Sequence, residues 1–187
     1  MPSPLMQQLM HDHRNFDVLV EILERQTERL SSGEWCDLEV VEVILAYLQR
    51  YGDQCHHPRE GLIYERLRAM DADAAERAAA VTREHAWLHD NTHRVLTEVR
   101  RGCDGERLDE TALSRDLTLY VAAHREHMYD ENQTLFPFAM ERFGAADWEA
   151  IEQEARLLAG AERALRIQDR FVALRDYIHR LARLDPQ

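Results

Sequence analysis

The feature that most constrains this chain is the stretch AHREHMYDENQTLFPFAMERF, residues 123–143. Tyr120, Leu135, Phe136, Met140 and Phe143 recur around it at helical intervals, yet His124, His127 and Glu131 lie on or beside the same stripe. An imidazole and a carboxylate four residues apart share one helix face, so a helix that buries this stripe buries both. Without a partner that burial is costly, and the fold has to bring compensating groups from other elements.

The rest of the chain reads as helix. Seven Gly and five Pro in 187 residues leave few breaks, and the length suits one domain. Ser3-Pro4 opens a first helix that runs to Leu30 and ends in SSGEW, residues 31–35. Asp37 caps a second, which carries Val41, Leu45, Leu48 and Gly52 on one face and reaches Met70 with a kink or restart near Pro58. Asp73 with Glu76 forms a capping box for a third helix that runs to Arg101, where GCDG breaks it. Asp109 caps a fourth that is bent at Pro137 and closed by Gly144, and a last helical region spans Asp147 to Leu184.

Four long helices with short connections predict an all-α fold: an antiparallel up-down-up-down four-helix bundle over residues 1–143, with a C-terminal helical extension, 144–187, packed on the same domain. In the extension Ile167, Phe171, Leu174, Ile178 and Leu181 form a stripe that either covers a bundle face or joins two copies as a homodimer.

The other helices repeat the pattern seen in residues 123–143. His13 sits between Leu9 and Phe16/Val20, His56 and Glu60 follow Gly52, and His85 and His89 share the side marked by Val81, Leu88 and Leu96. His57 is rotated by about 100° from the His56 face, which makes it a weaker candidate. Singly, each has a plainer reading: a hydrogen-bonded core histidine for His13, a surface salt bridge for His56 with Glu60, and a partly exposed histidine stripe for His85 with His89. Together, five inward imidazoles and two carboxylates point to a metal cluster, because nothing else in the pattern compensates them. Imidazole with carboxylate suits iron, manganese or zinc, and the absence of CxxC argues against thiolate zinc and iron–sulfur sites. Two six-coordinate ions sharing both carboxylates and one oxygen bridge would leave one coordination position open.

HDHRNF, CHHPRE, REHAWLH and HMYDENQTLFP resemble the four signature segments of the hemerythrin-like, or HHE cation-binding, domain, over about residues 5–143. The resemblance implies a non-haem di-iron centre with an oxo or hydroxo bridge, for which manganese or zinc are substitutes. Carried over by position, its ligands are His13, His56, Glu60, His85, His89, His127 and Glu131, with the second- and third-helix pairs serving one ion. The last helix has HxxxE, as in bacterial relatives, where the oxygen carriers have HxxxxD.

The net charge of −12 argues against nucleic acid and against a basic membrane anchor. No apolar run approaches a membrane span or a signal peptide, and Cys36, Cys55 and Cys103 suit reduced thiols, so a cytoplasmic protein is expected. The expected function is binding or sensing of oxygen, nitric oxide or peroxide, with Phe16, Leu88 and Tyr120 limiting access. The alternatives are a di-iron enzyme (iron oxidase or peroxide scavenger), an iron donor for iron–sulfur cluster repair, and a purely structural metal.

Overall fold

The computed structural model describes residues 3–164 together with residues 172, 176 and 177. The stripe Ile167, Phe171, Leu174, Ile178 and Leu181 lies outside the described residues. The helices are α1 (Pro4–Ser31), α2 (Leu38–Tyr51), α3 (His57–Arg68), α4 (Ala72–Cys103), α5 (Glu110–Asp130), α6 (Phe136–Arg142) and α7 (Ala145–Ala164), with no strand among the described residues.

Side-chain caps set the helix starts. Ser3 accepts from the Met6 N–H, Asp37 from Val40 and Asp109 from Ala112, at 3.0 to 3.2 Å. For α4 the capping residue is Asp71, not Asp73: the extended Asp71 backbone lets its carboxylate take the Ala74 N–H at 2.9 Å. Asp73 then falls within the first turn and pairs with Arg77. Gly33 and Gly105, at φ of 71° and 84°, supply the left-handed turns after α1 and α4.

Pro58 and Pro137 do not break their helices. The chain widens one turn ahead of each, into π turns at Gly52–His56 and Glu131–Leu135. The N–H of His57 reaches the Gly52 carbonyl and that of Phe136 reaches Glu131, each five residues back. Proline has no N–H and its ring crowds the carbonyl four residues earlier, and the wider turn accommodates both defects. Thus α2–α3 and α5–α6 are continuous rods. Helix α1 packs on α5 and α2, while α4 packs on α2, α3 and α5, which makes a helical bundle.

Two apolar clusters fill it. One gathers Phe16, Leu19, Leu23, Ile44, Leu45, Leu117 and Tyr120, and the other Leu5, Met6, Leu9, Ile63, Leu67 and Phe136. Met140, expected on the buried stripe, is 37% exposed, whereas Phe136, Ala139 and Phe143 of the same segment are buried. Helix α7 lies against α3 and α1: Ile151 joins the second cluster, Glu152 Oε1 accepts from the Leu5 N–H at 2.9 Å, and Arg66 pairs with Asp147. No helix among the described residues is long and apolar enough to cross a membrane.

Candidate metal centre

Between the two clusters sits a group of ionisable side chains from all four rods. His13 comes from α1, His56 from the end of the first π turn, Glu60 from α3, His85 from α4, His127 from α5 and Glu131 from the start of the second π turn. Glu60 and Glu131 are fully buried, and His13, His56 and His127 nearly so.

The two carboxylates lie between two histidine pairs. On one side His13 Nε2 is 3.0 Å from His56 Nε2, and on the other His85 Nε2 is 3.1 Å from His127 Nε2. Glu60 Oε1 stands 2.9 Å from His56 Nε2, while its Oε2 is 3.5 Å from His85 Nε2. Glu131 Oε2 is 3.2 Å from His13 Nε2 and 3.4 Å from His127 Nε2, and its Oε1 is 3.6 Å from His85 Nε2. Each carboxylate therefore faces both pairs.

Outer partners fix which ring nitrogen points inward. His56 Nδ1 is 3.3 Å from Asp12 Oδ2, His13 Nδ1 is 3.1 Å from Asn132 Oδ1, and His127 Nδ1 is 3.0 Å from Glu84 Oε2. Placing a proton on each Nδ1 satisfies these acceptors and leaves the Nε2 lone pairs directed at one another and at the carboxylates. Two such lone pairs 3 Å apart repel unless a cation or proton lies between them. Both oxygens of Glu60 and Oε2 of Glu131 are buried without a hydrogen-bond partner, despite their short distances to the imidazoles. Atoms that converge without hydrogen-bonding one another fit ligands aimed at a common ion.

Electrostatics point the same way. Burial pulls the His13 and His56 pKa values down, but Glu131 and Glu60 around His13, and Glu60 and Asp12 around His56, more than offset it and lift them to about 10 and about 9. Burial and the Glu60 charge push Glu131 up, yet His127, His13 and His85 bring it down to about 2. Burial likewise opposes ionisation of Glu60, and His56 with His13 holds it well below the usual carboxylate range. The metal-free cluster thus attracts positive charge, and protons occupy the places a metal would take.

The hemerythrin HHE cation-binding domain family matches residues 5–139. The chain belongs to that family. No curated protein matches it.

Within this hemerythrin-family site, six of the seven residues singled out from the sequence converge. Three overlapping groups hold ligand atoms within 4.8 Å of one another: His13, His56, Glu60 and Glu131; His85, His127 and Glu131; and His57, Glu60 and His85. His89 is in none of them. Its side chain is 49% exposed, and its Nδ1 lies 3.3 Å from Asp53 Oδ2, which draws the ring outward. The division between the sides also differs from expectation: the second- and third-helix histidines fall on opposite sides, with His13 beside His56 and His127 beside His85.

Several contributors were not singled out from the sequence. Asp12 also accepts from Tyr51 at 2.9 Å and faces Arg59, and the Tyr64 hydroxyl donates to Glu131 Oε1. Asp12, Glu84 and Asn132 each adjoin a ligand in the sequence, beside His13, His85 and Glu131. Each steadies a histidine on a different helix, and adjacency does not reveal that partner.

Proposed function

We propose that this chain holds two iron ions, one beside His13 and His56 and the other beside His85 and His127, with Glu60 and Glu131 shared, in an up-down-up-down bundle working in the cytoplasm. The proposed role is to bind or sense oxygen, nitric oxide or peroxide. The ions would supply redox chemistry and a coordination position open to such a ligand. The protein supplies the donor atoms, their orientation and the exclusion of bulk water.

The observation that carries the small-ligand reading is a cavity of about 30 Å³ beside the cluster. It is lined by His13, His56, His57, His89, His124 and His127, by Gln49, Asp53 and Thr92, and by the apolar Phe16, Leu48, Leu88, Tyr120 and Met128, with Gly52. The volume suits a water or a ligand of two or three atoms and excludes an organic substrate. His124 Nδ1, on the wall of this pocket, is buried without a hydrogen-bond partner, which leaves it available to a guest. An open cleft of about 680 Å³ between α1 and α5, lined by Arg14, Asp17, Tyr129 and Asn132, reaches His13 from outside. No disulfide links Cys36, Cys55 and Cys103, in keeping with a reducing compartment.

Metal analysis and optical spectra of anaerobically purified protein, before and after air and then with azide, test the reading. About two irons per chain, a spectrum that changes in air and a saturable azide band are expected. Two bound irons whose spectrum responds to neither air nor azide would make the metal structural and remove the binding role.

A further inference from the structure

Resting on the two-ion reading, we infer that His57, and not His89, is the third imidazole on the His85 side of the centre. Its position follows from the π turn. In an α-helical register His57 would sit off the ligand face, but the five-residue reach of the turn stacks it over Gly52. The imidazole lies against the bare Gly52 Cα, where a Cβ would come 3.0 Å from its Cε1 and 3.4 Å from its Nε2. Glycine at 52 thus makes the cradle in which this ring rests.

From that cradle the ring stacks on His85 with centroids 4.1 Å apart and planes inclined by 23°. A nitrogen of His57, an oxygen of Glu60 and a nitrogen of His85 fall within 4.8 Å of one another. Asp53 Oδ1 stands 3.8 Å from His57 Nδ1, which leaves Nε2 as the inward donor, as with Asp12 behind His56. His89 shares the same Asp53 from the outside, with its side chain half exposed.

The test loads ferrous iron anaerobically into the full chain and into His57→Ala, His89→Ala, Gly52→Ala and His85→Ala, then measures iron retained against a coloured chelator, with helical content checked by circular dichroism. His57→Ala should hold its second iron at least about tenfold more weakly than the parent, and Gly52→Ala, which keeps every donor atom, should weaken it in the same direction. His89→Ala should retain iron like the parent. Parental retention in a folded His57→Ala, or loss confined to His89→Ala, overturns the assignment. Should His57→Ala lose helical content, parental retention in Gly52→Ala overturns it instead. Parental retention in His85→Ala is a separate result, one that removes the two-ion reading itself.

Discussion

Asp12 Oδ2 lies 3.3 Å from Nδ1 of His56, both side chains buried, and this contact ties α1 to the end of the first π turn. The carboxylate also takes Tyr51 O–H and Gln8 N–H bonds, each at 2.9 Å. Burial opposes its ionisation, but the His56 hydrogen bond and charge, with Tyr51 and Gln8, hold its pKa below the ordinary value. A charged acceptor fixes the ring orientation and makes its Nε2 more basic. Asp12→Asn should therefore lower iron affinity by about ten- to a hundredfold with the bundle still folded, as measured by chelator competition. Parental affinity would show that this contact does not tune the centre.

Rising pH should act oppositely on the metal-free and loaded forms. The folded-state pKa values of His13 and His56 are raised, to about 10 and about 9, so their stabilising contribution is full below the ordinary 6.5 and is lost as pH rises through those values. Glu131, lowered to about 2, contributes above its ordinary 4.5 and loses that contribution as pH falls towards 2. The metal-free bundle should thus melt at its highest temperature between pH 4.5 and 6.5 and at progressively lower temperature up to about 10. Iron competes for the same sites, so its affinity should rise with pH over that alkaline interval and fall on acidification. A melting temperature in the metal-free protein that stays flat across the alkaline interval would contradict the charge arrangement.

Tyr64 gives the metal-free state its own signature. Its hydroxyl donates to Glu131 Oε1, and burial, with the Glu131 and Glu60 charges, keeps the phenol protonated by raising its pKa well above the usual value. Tyr64→Phe leaves a buried carboxylate oxygen without its donor, so the metal-free protein should lose roughly 1–3 kcal/mol in denaturant unfolding. The loaded protein should lose less, because the ion takes up that oxygen. Equal losses in both forms would mean that Glu131 does not change partners on loading.

His124 separates stability from ligand binding. Burial lowers its pKa to about 3, so it is neutral, and its Nδ1 has no hydrogen-bond partner. His124→Leu removes an unsatisfied polar atom from the pocket wall and should leave melting unchanged or slightly raised. Azide affinity of the loaded protein should fall by about three- to tenfold, the size of one neutral hydrogen bond. A marked loss of melting temperature with unchanged azide binding would assign the imidazole a purely structural part.

Cutting back a wall of the small cavity tests access. Leu88 is 7% exposed and belongs to the first apolar cluster. Leu88→Ala should cost about 2–5 kcal/mol in unfolding and speed azide binding, followed by stopped-flow absorbance. An unchanged association rate would place the entry route elsewhere, at the cleft beside His13 and Asn132.

The sequence by itself determined the helices and most of the polar set. Apolar periodicity, the caps at Ser3, Asp37 and Asp109 and the left-handed glycines are local properties, set within a turn or two of chain. So is the four-residue spacing of His56 with Glu60 and of His127 with Glu131, which places each pair on one face before any packing occurs. Tertiary structure decided what depends on residues far apart in the chain: the pairing of His13 with His56 and of His85 with His127, and the ties from Asp12, Asn132 and Glu84 across helices. It also decided between His57 and His89. The α-helical period favours His89, but a π turn ahead of Pro58 shifts the register, the absent Cβ of Gly52 seats one ring beside His85, and Asp53 draws the other towards solvent. A one-residue change in helical register turns a side chain by about 100°, and only the packed neighbours fix where that rotation is taken up.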